Sequence, residues 1–75
     1  MKLEDFIQKF AEQFDETPVE QFSSATAFKD LEEWNSLTAL SIIAMVDEEL
    51  EKRITGADIR SSDTIGDLFN TINAK

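Results

Sequence analysis

Apolar residues that recur at steps of three and four constrain this chain more than any other feature. The first such stripe consists of Leu3, Phe6, Ile7, Phe10 and Phe14. A second consists of Ala39, Ile42, Ile43, Val46 and Leu50, and a third of Ile65, Leu68, Phe69 and Ile72. This spacing places each stripe on one side of an α-helix, and no segment shows the two-residue alternation of a half-buried strand. We therefore predict an all-α fold with three main helices.

An unusually long connection follows the first helix. Thr17-Pro18 ends the first apolar pattern, because the residue before a proline avoids the α region. Residues 19–35 show no sustained period, and we predict only a single turn at residues 28–31. So long a loop is uncommon in a chain of 75 residues and is usually functional or packed by its own side chains.

Capping residues mark the starts of the later helices. Asn35 is a good N-cap for a second helix that runs from residue 36 to about residue 52. Thr64 and Asp67 resemble a capping box for the last helix. Residues 54–59 contain Gly56 and form at best a small helix. The chain is therefore predicted to be one domain, residues 1–75, a small bundle of three main helices and one short helix.

Composition excludes several classes of function. Seven basic and sixteen acidic residues give a net charge of −9, so the chain should attract basic surfaces and should bind neither nucleic acid nor an anionic membrane through charge. The chain has no Cys and no His, which removes disulfides, thiolate metal sites and the commonest general base. No apolar run approaches the ~18 residues of a membrane span, and the acidic N-terminus is unlike a signal peptide. We expect a cytoplasmic protein.

The carboxylates of the second helix are dense enough to suggest catalysis or metal binding. The acids concerned are Asp47, Glu48, Glu49 and Glu51. Acids at this density mostly form a solvated face, and the alternating oxygen ligands with a central Gly that typify a calcium loop are missing. We predict neither an acid–base site nor a specific metal site here.

Ser36 has the most distinctive position of any polar residue. It lies between Asn35 and Leu37 at the start of the second helix, where the helix dipole and free backbone N–H groups favour a phosphate ester. Serine is also common at helix starts simply because it helps to cap them. Position alone therefore leaves two interpretations of Ser36 open, an attachment site and a capping residue.

The residues around Ser36 resemble those of the acyl carrier proteins. The matching segments are Thr26-Ala27-Phe28-Lys29-Asp30-Leu31 and Trp34-Asn35-Ser36-Leu37, followed by an acidic amphipathic helix. The resemblance covers nearly the whole chain, including the long first loop and the short third helix. It departs at Asn35, where the family usually has Asp, and at Glu32-Glu33-Trp34, which replaces a shorter, Gly-containing link.

The resemblance implies an acyl-carrier-like bundle that catalyses no reaction itself. In that family the motif serine, here Ser36, carries phosphopantetheine through a phosphodiester made by a separate phosphopantetheinyl transferase. The thiol of this covalent arm then holds acyl groups as thioesters. The implied setting is lipid metabolism such as fatty acid biosynthesis, although a Trp before the motif is an accepted variant in some free-standing carriers, often outside primary fatty acid synthesis.

A helix wheel also predicts a recognition surface on the second helix. Its residues are Leu37, Leu40 and Ala44, with Met45 near the edge and Asp47 and Glu48 on the flank. An apolar centre with a charged rim is the usual anatomy of such a surface, and the acids would steer partners that carry basic docking surfaces. The resemblance implies that these partners are acyl-loading and acyl-processing enzymes, which a monomer would visit in turn. We predict that Trp34 packs over the long loop.

Two other functions fit the sequence. The first is an acidic helical interaction module without a prosthetic group, in which Ser36 would only begin a helix. The second is a carrier of aminoacyl or peptidyl groups, which would use Ser36 in the same way but load a different cargo.

Overall fold

Four α-helices and two 3₁₀ turns make up the computed structural model, which describes residues 1–75 and contains no strand. The helices are α1 (Leu3–Ala11), α2 (Ser36–Leu50), α3 (Gly56–Ser61) and α4 (Ile65–Asn73). The 3₁₀ turns lie at Val19–Gln21 and Phe28–Asp30, both within the long loop. The predicted all-α bundle with one short helix is confirmed. None of the helices combines the length and the apolar character that crossing a membrane requires.

The first helix ends earlier than its apolar stripe. It stops at Ala11, and the backbone N–H groups of Gln13 and Phe14 then donate to carbonyls only three residues back, over 3.1 and 3.0 Å. This tightening brings Phe14 into the core although it lies beyond the helix, and its side chain is buried. The Thr17-Pro18 stop is therefore not what ends α1.

The core is rich in phenylalanine and draws on the loop as well as the helices. Its buried apolar members are Phe6, Phe10, Ala11, Phe14, Phe22, Phe28, Ile42, Met45, Val46, Ile54, Ile59, Ile65, Leu68 and Ile72. Phe28, from the second 3₁₀ turn, is fully buried and meets the Phe10 ring edge-on at 5.3 Å. Such pairs contribute about 0.5–1.5 kcal/mol beyond the burial of their area. Phe69 is half-buried and packs on Phe6 from outside.

The buried face of α2 is rotated relative to the predicted stripe. Ile42, Met45 and Val46 are buried, whereas Ala39, Ile43 and Leu50 are only half-buried. At 100° per residue, the observed face is centred about 60° away from the predicted one, on the side of Met45. That side faces α1, and the Lys9 ammonium of α1 lies 3.5 Å from the Glu49 carboxylate of α2.

Met45 is therefore a core residue, and its assignment to the docking surface is wrong. Its side chain is 5% exposed, and it lies where α2 packs on α1. Met suits this position because its flexible thioether fills irregular gaps between helices.

Capping boxes begin the last two helices. The predicted box of Thr64 and Asp67 is present at the start of α4. A second box, formed by Thr55 and Asp58, begins α3 and was not predicted. Gly66, in the first turn of α4, lies so close to the long loop that a Cβ there would be 3.0 Å from the carbonyl oxygen of Ser24. The Gly66 N–H donates to that oxygen over 2.9 Å, which ties the loop to α4.

Candidate functional site

Ser36 is the first residue of α2 and is exposed. Asn35 is the N-cap, as predicted, because its Oδ1 accepts a hydrogen bond from the Thr38 N–H over 3.0 Å. The backbone N–H groups of Ser36 and Leu37 donate to no protein acceptor, and the Ser36 hydroxyl makes no hydrogen bond within the protein. Asn35 thus performs the capping, and the Ser36 hydroxyl stays free at the positive end of the α2 dipole.

The carboxylate of Glu33 anchors the segment that leads into Ser36. It accepts hydrogen bonds from the backbone N–H groups of Asp15, Glu16 and Thr17 over 2.7, 3.0 and 2.8 Å. The Thr17 hydroxyl donates to the same carboxylate over 2.7 Å. These bonds, above all that from the Thr17 hydroxyl, lower the pKa of Glu33 from its ordinary value, because they stabilise the charged form. We call this arrangement the Glu33 anchor.

The backbone of Glu33 is tied to the start of α2 as well. Its carbonyl oxygen accepts from the Thr38 hydroxyl over 3.1 Å and from the Asn35 side-chain amide over 3.4 Å. One residue therefore connects the chain just after α1 with the N-terminal turn of α2. This double attachment fixes the position of Ser36 relative to the rest of the bundle.

Trp34 packs into the loop, as predicted. It is half-buried, its ring meets that of Phe28 edge-on at 5.0 Å, and it stacks on Phe14 at 6.4 Å. The residue immediately before Asn35 is thus held by the aromatic core, which adds to the effect of the Glu33 anchor.

The other predicted docking residues lie together on the outer side of α2. Leu37 is 73% exposed and Leu40 is 61% exposed. Ala44, Asp47 and Glu48 are also exposed on the following turns. We call these five residues the α2 strip. Leu37 and Leu40 are two of the four exposed large apolar side chains of the protein. Both lie within about 6 Å of Ser36, measured along the helix axis.

A groove of about 360 Å³ lies beside Ser36, between α2 and α3, and was missed by the sequence analysis. Its apolar lining comes from Trp34, Ala39, Ile43 and Ile59, and its remaining lining from Lys29, Asn35, Ser36, Gly56 and Arg60. Ser36, Ala39 and Ile43 share one side of α2, because they are spaced three and seven residues apart. That spacing was the available signal, but it could not reveal where α3 would pack.

The acidic residues of α2 do not converge. No three carboxylates in the structure lie close enough together to hold a metal ion. The dense acids at the end of α2 are instead spread along its solvent-facing surface, with Glu49 paired to Lys9.

Comparisons of the chain with protein-family models, with curated proteins and with solved structures find no match. Function must therefore be inferred from the residues around Ser36 and from their geometry.

Proposed function

We propose that this protein is an acyl carrier and that Ser36 is the attachment point of a phosphopantetheine arm. The observation that carries the proposal is the division of roles at the start of α2. Asn35 caps the helix, so the adjacent Ser36 hydroxyl is exposed and has no structural hydrogen bond to lose on esterification. A serine that served only as a cap would use its oxygen as Asn35 uses its own.

The surroundings of Ser36 suit a phosphodiester. The two unpaired N–H groups of Ser36 and Leu37 and the α2 dipole favour negative charge at this point. When attached, the arm would supply the thiol that this Cys-free chain lacks, and with it the capacity to hold acyl groups. The Glu33 anchor and the packed Trp34 hold Ser36 in place. A fixed position helps a transferase, because the enzyme must align one particular hydroxyl for reaction.

The α2 strip supports a role in which the carrier docks on partners in turn. Leu37, Leu40 and Ala44 offer a small apolar contact, and Asp47 and Glu48 would steer enzymes with basic surfaces toward it. A patch this small favours brief complexes over permanent ones. Transient docking is what a carrier needs, because it has to leave each partner for the next.

The groove beside Ser36 supports the choice of cargo. Four apolar side chains line it, so it could cover the first part of an acyl chain against water. In this proposal the protein works as a monomer in the cytoplasm, in fatty acid or related lipid metabolism, and catalyses no reaction itself.

The α2 strip also favours the second candidate, an acidic interaction module without an arm. That module would use the same exposed leucines but would leave Ser36 unmodified. An aminoacyl or peptidyl carrier would carry the arm on Ser36 and differ only in the enzyme that loads it.

Intact mass separates the carrier from the module. The protein is incubated with coenzyme A, magnesium and a phosphopantetheinyl transferase of broad specificity, and we expect the mass of one arm to be added. Ser36→Ala should abolish the addition. Ser23→Ala and Ser41→Ala are the controls and should be loaded like the wild type. An unchanged mass with several transferases would favour the interaction module.

A further inference from the structure

The groove beside Ser36 has an unusual charge for this molecule. The chain contains sixteen acidic and only seven basic residues. Yet two of the basic residues, Lys29 and Arg60, line the groove, and none of the acidic residues does. They come from different elements, Lys29 from the second 3₁₀ turn and Arg60 from α3. A strongly acidic protein therefore presents a local basic site next to its proposed attachment serine.

Neither Lys29 nor Arg60 has a carboxylate partner. The two salt bridges of the structure join Lys9 to Glu49 and Lys75 to Asp58. The Lys29 ammonium donates to the backbone carbonyl of Arg60 over 2.9 Å, which brings it against α3 and leaves its other two donors free.

The Arg60 guanidinium lies back over the first turn of α3. A Cβ on Gly56 would come within 3.3 Å of its Nη1, so the absence of a side chain at Gly56 leaves room for this position. Two cations that face one groove without a counterion repel each other, and an anion bound between them would remove that repulsion.

We propose that Lys29 and Arg60 bind the phosphodiester of the arm on Ser36 and so direct the arm along the groove. This inference rests on the proposed function. The phosphodiester is the anion that these residues suit best, because esterification of Ser36 would place it permanently at the head of the groove. Tethering would give it a high effective concentration at the two cations without any further binding step. The ligand class is a singly charged phosphate diester, which would lie at the basic edge of the groove and leave the apolar lining free for the acyl chain.

The test compares the unloaded and loaded proteins. The groove variant is Lys29→Gln with Arg60→Gln. The matched control is Lys2→Gln with Arg53→Gln, which removes one lysine and one arginine that make no side-chain hydrogen bond or ion pair. Each protein is loaded to completion, as judged by intact mass. The change in Tm on loading and the ³¹P resonance of the diester are then measured at low and high salt.

We expect loading to raise the Tm of the wild type by about 2–5 °C at low salt, and less at high salt, because the contacts are partly exposed and therefore screened. The control should show the same rise and the same ³¹P resonance as the wild type. The groove variant should lose the rise and shift the resonance. Arg60→Gln alone, which leaves the Lys29 hydrogen bond in place, should lose part of the rise.

Several results would overturn the inference. The inference is wrong if the Tm of the wild type does not rise on loading. It is also wrong if the groove variant shows the full rise in Tm and the wild-type ³¹P resonance. Loss of the rise in the control as well would show that overall charge, and not the groove, is responsible. Failure of the arm to attach at all would instead refute the proposed function, so the two failures are distinguishable by mass.

Discussion

The rotation of the buried face of α2 can be tested by truncating two residues of the same helix. Met45 is 5% exposed and lies between α2 and α1, whereas Leu37 is 73% exposed on the α2 strip. Leu and Met have nearly equal helix propensities, so replacement of either by Ala changes the intrinsic stability of the helix by the same small amount. Any difference between Met45→Ala and Leu37→Ala therefore reports burial.

The expected costs are well separated. Truncation of a buried Met costs about 2–5 kcal/mol, which is a large part of the roughly 4–11 kcal/mol expected for a domain of 75 residues. Full burial of a Leu is worth about 1.5–3 kcal/mol, and Leu37 has only about a quarter of its surface covered. Leu37→Ala should therefore cost about 0.4–0.8 kcal/mol.

Urea unfolding followed by far-ultraviolet circular dichroism gives the comparison, provided that the m-values of the two variants agree. In thermal melts, Met45→Ala should lower the Tm by at least about 8 °C. If Leu37→Ala destabilised the protein as much as Met45→Ala, the assignment of α2's inner and outer faces would be wrong.

Two further predictions concern Glu33 and Glu51. The pKa of Glu33 is lowered in the folded protein from its ordinary value of 4.5, so its anchor stabilises the fold above that pH and loses its effect as the pH falls through the folded pKa. Glu33→Gln should therefore lower the Tm at pH 7, and its difference from wild type should shrink below about pH 4.5. A difference in Tm that does not change with pH would contradict the anchor. Glu51 ends α2 in the left-handed region, with φ of 56°, so Glu51→Gly should stabilise the protein by about 0.5–1 kcal/mol. Glu51→Gln removes the charge but keeps a side chain, so it measures the effect of charge alone in the same melts. If Glu51→Gln and Glu51→Gly raised the stability equally, the left-handed backbone at residue 51 would not be the cause.

Local signals made the helix starts predictable. Asn35 and the Thr64–Asp67 box depend on residues three apart, and both are present where the sequence places them. The box of Thr55 and Asp58 is equally local, but Gly56 within the short segment obscured it. The turn expected at residues 28–31 forms at Phe28–Asp30, but the second turn of the loop, at Val19–Gln21, was not predicted.

Features that depend on tertiary packing were not predictable in the same way. Helix α2 carries apolar residues on more than one side, so a helix wheel cannot tell which side α1 will cover, and Met45 was misplaced for that reason. The Glu33 anchor joins residues that are 16 to 18 positions apart, so no local pattern indicates it. In a chain with so many acids, the sequence predicts only that the Glu33 side chain is solvated. The groove depends on how α3 packs beside α2. Helix α3 has only six residues and begins with a Gly, so its sequence carries too little pattern to predict that packing.

Residue-level mapping of the loaded protein shows which serine carries the arm. The wild type is treated with coenzyme A, magnesium and a broad transferase, digested, and fragmented in a tandem mass spectrometer. We expect one phosphopantetheine on the peptide that contains Asn35 to Leu37, with fragment ions that place it on Ser36. An arm located on any other serine, or a protein that no transferase modifies, would contradict it.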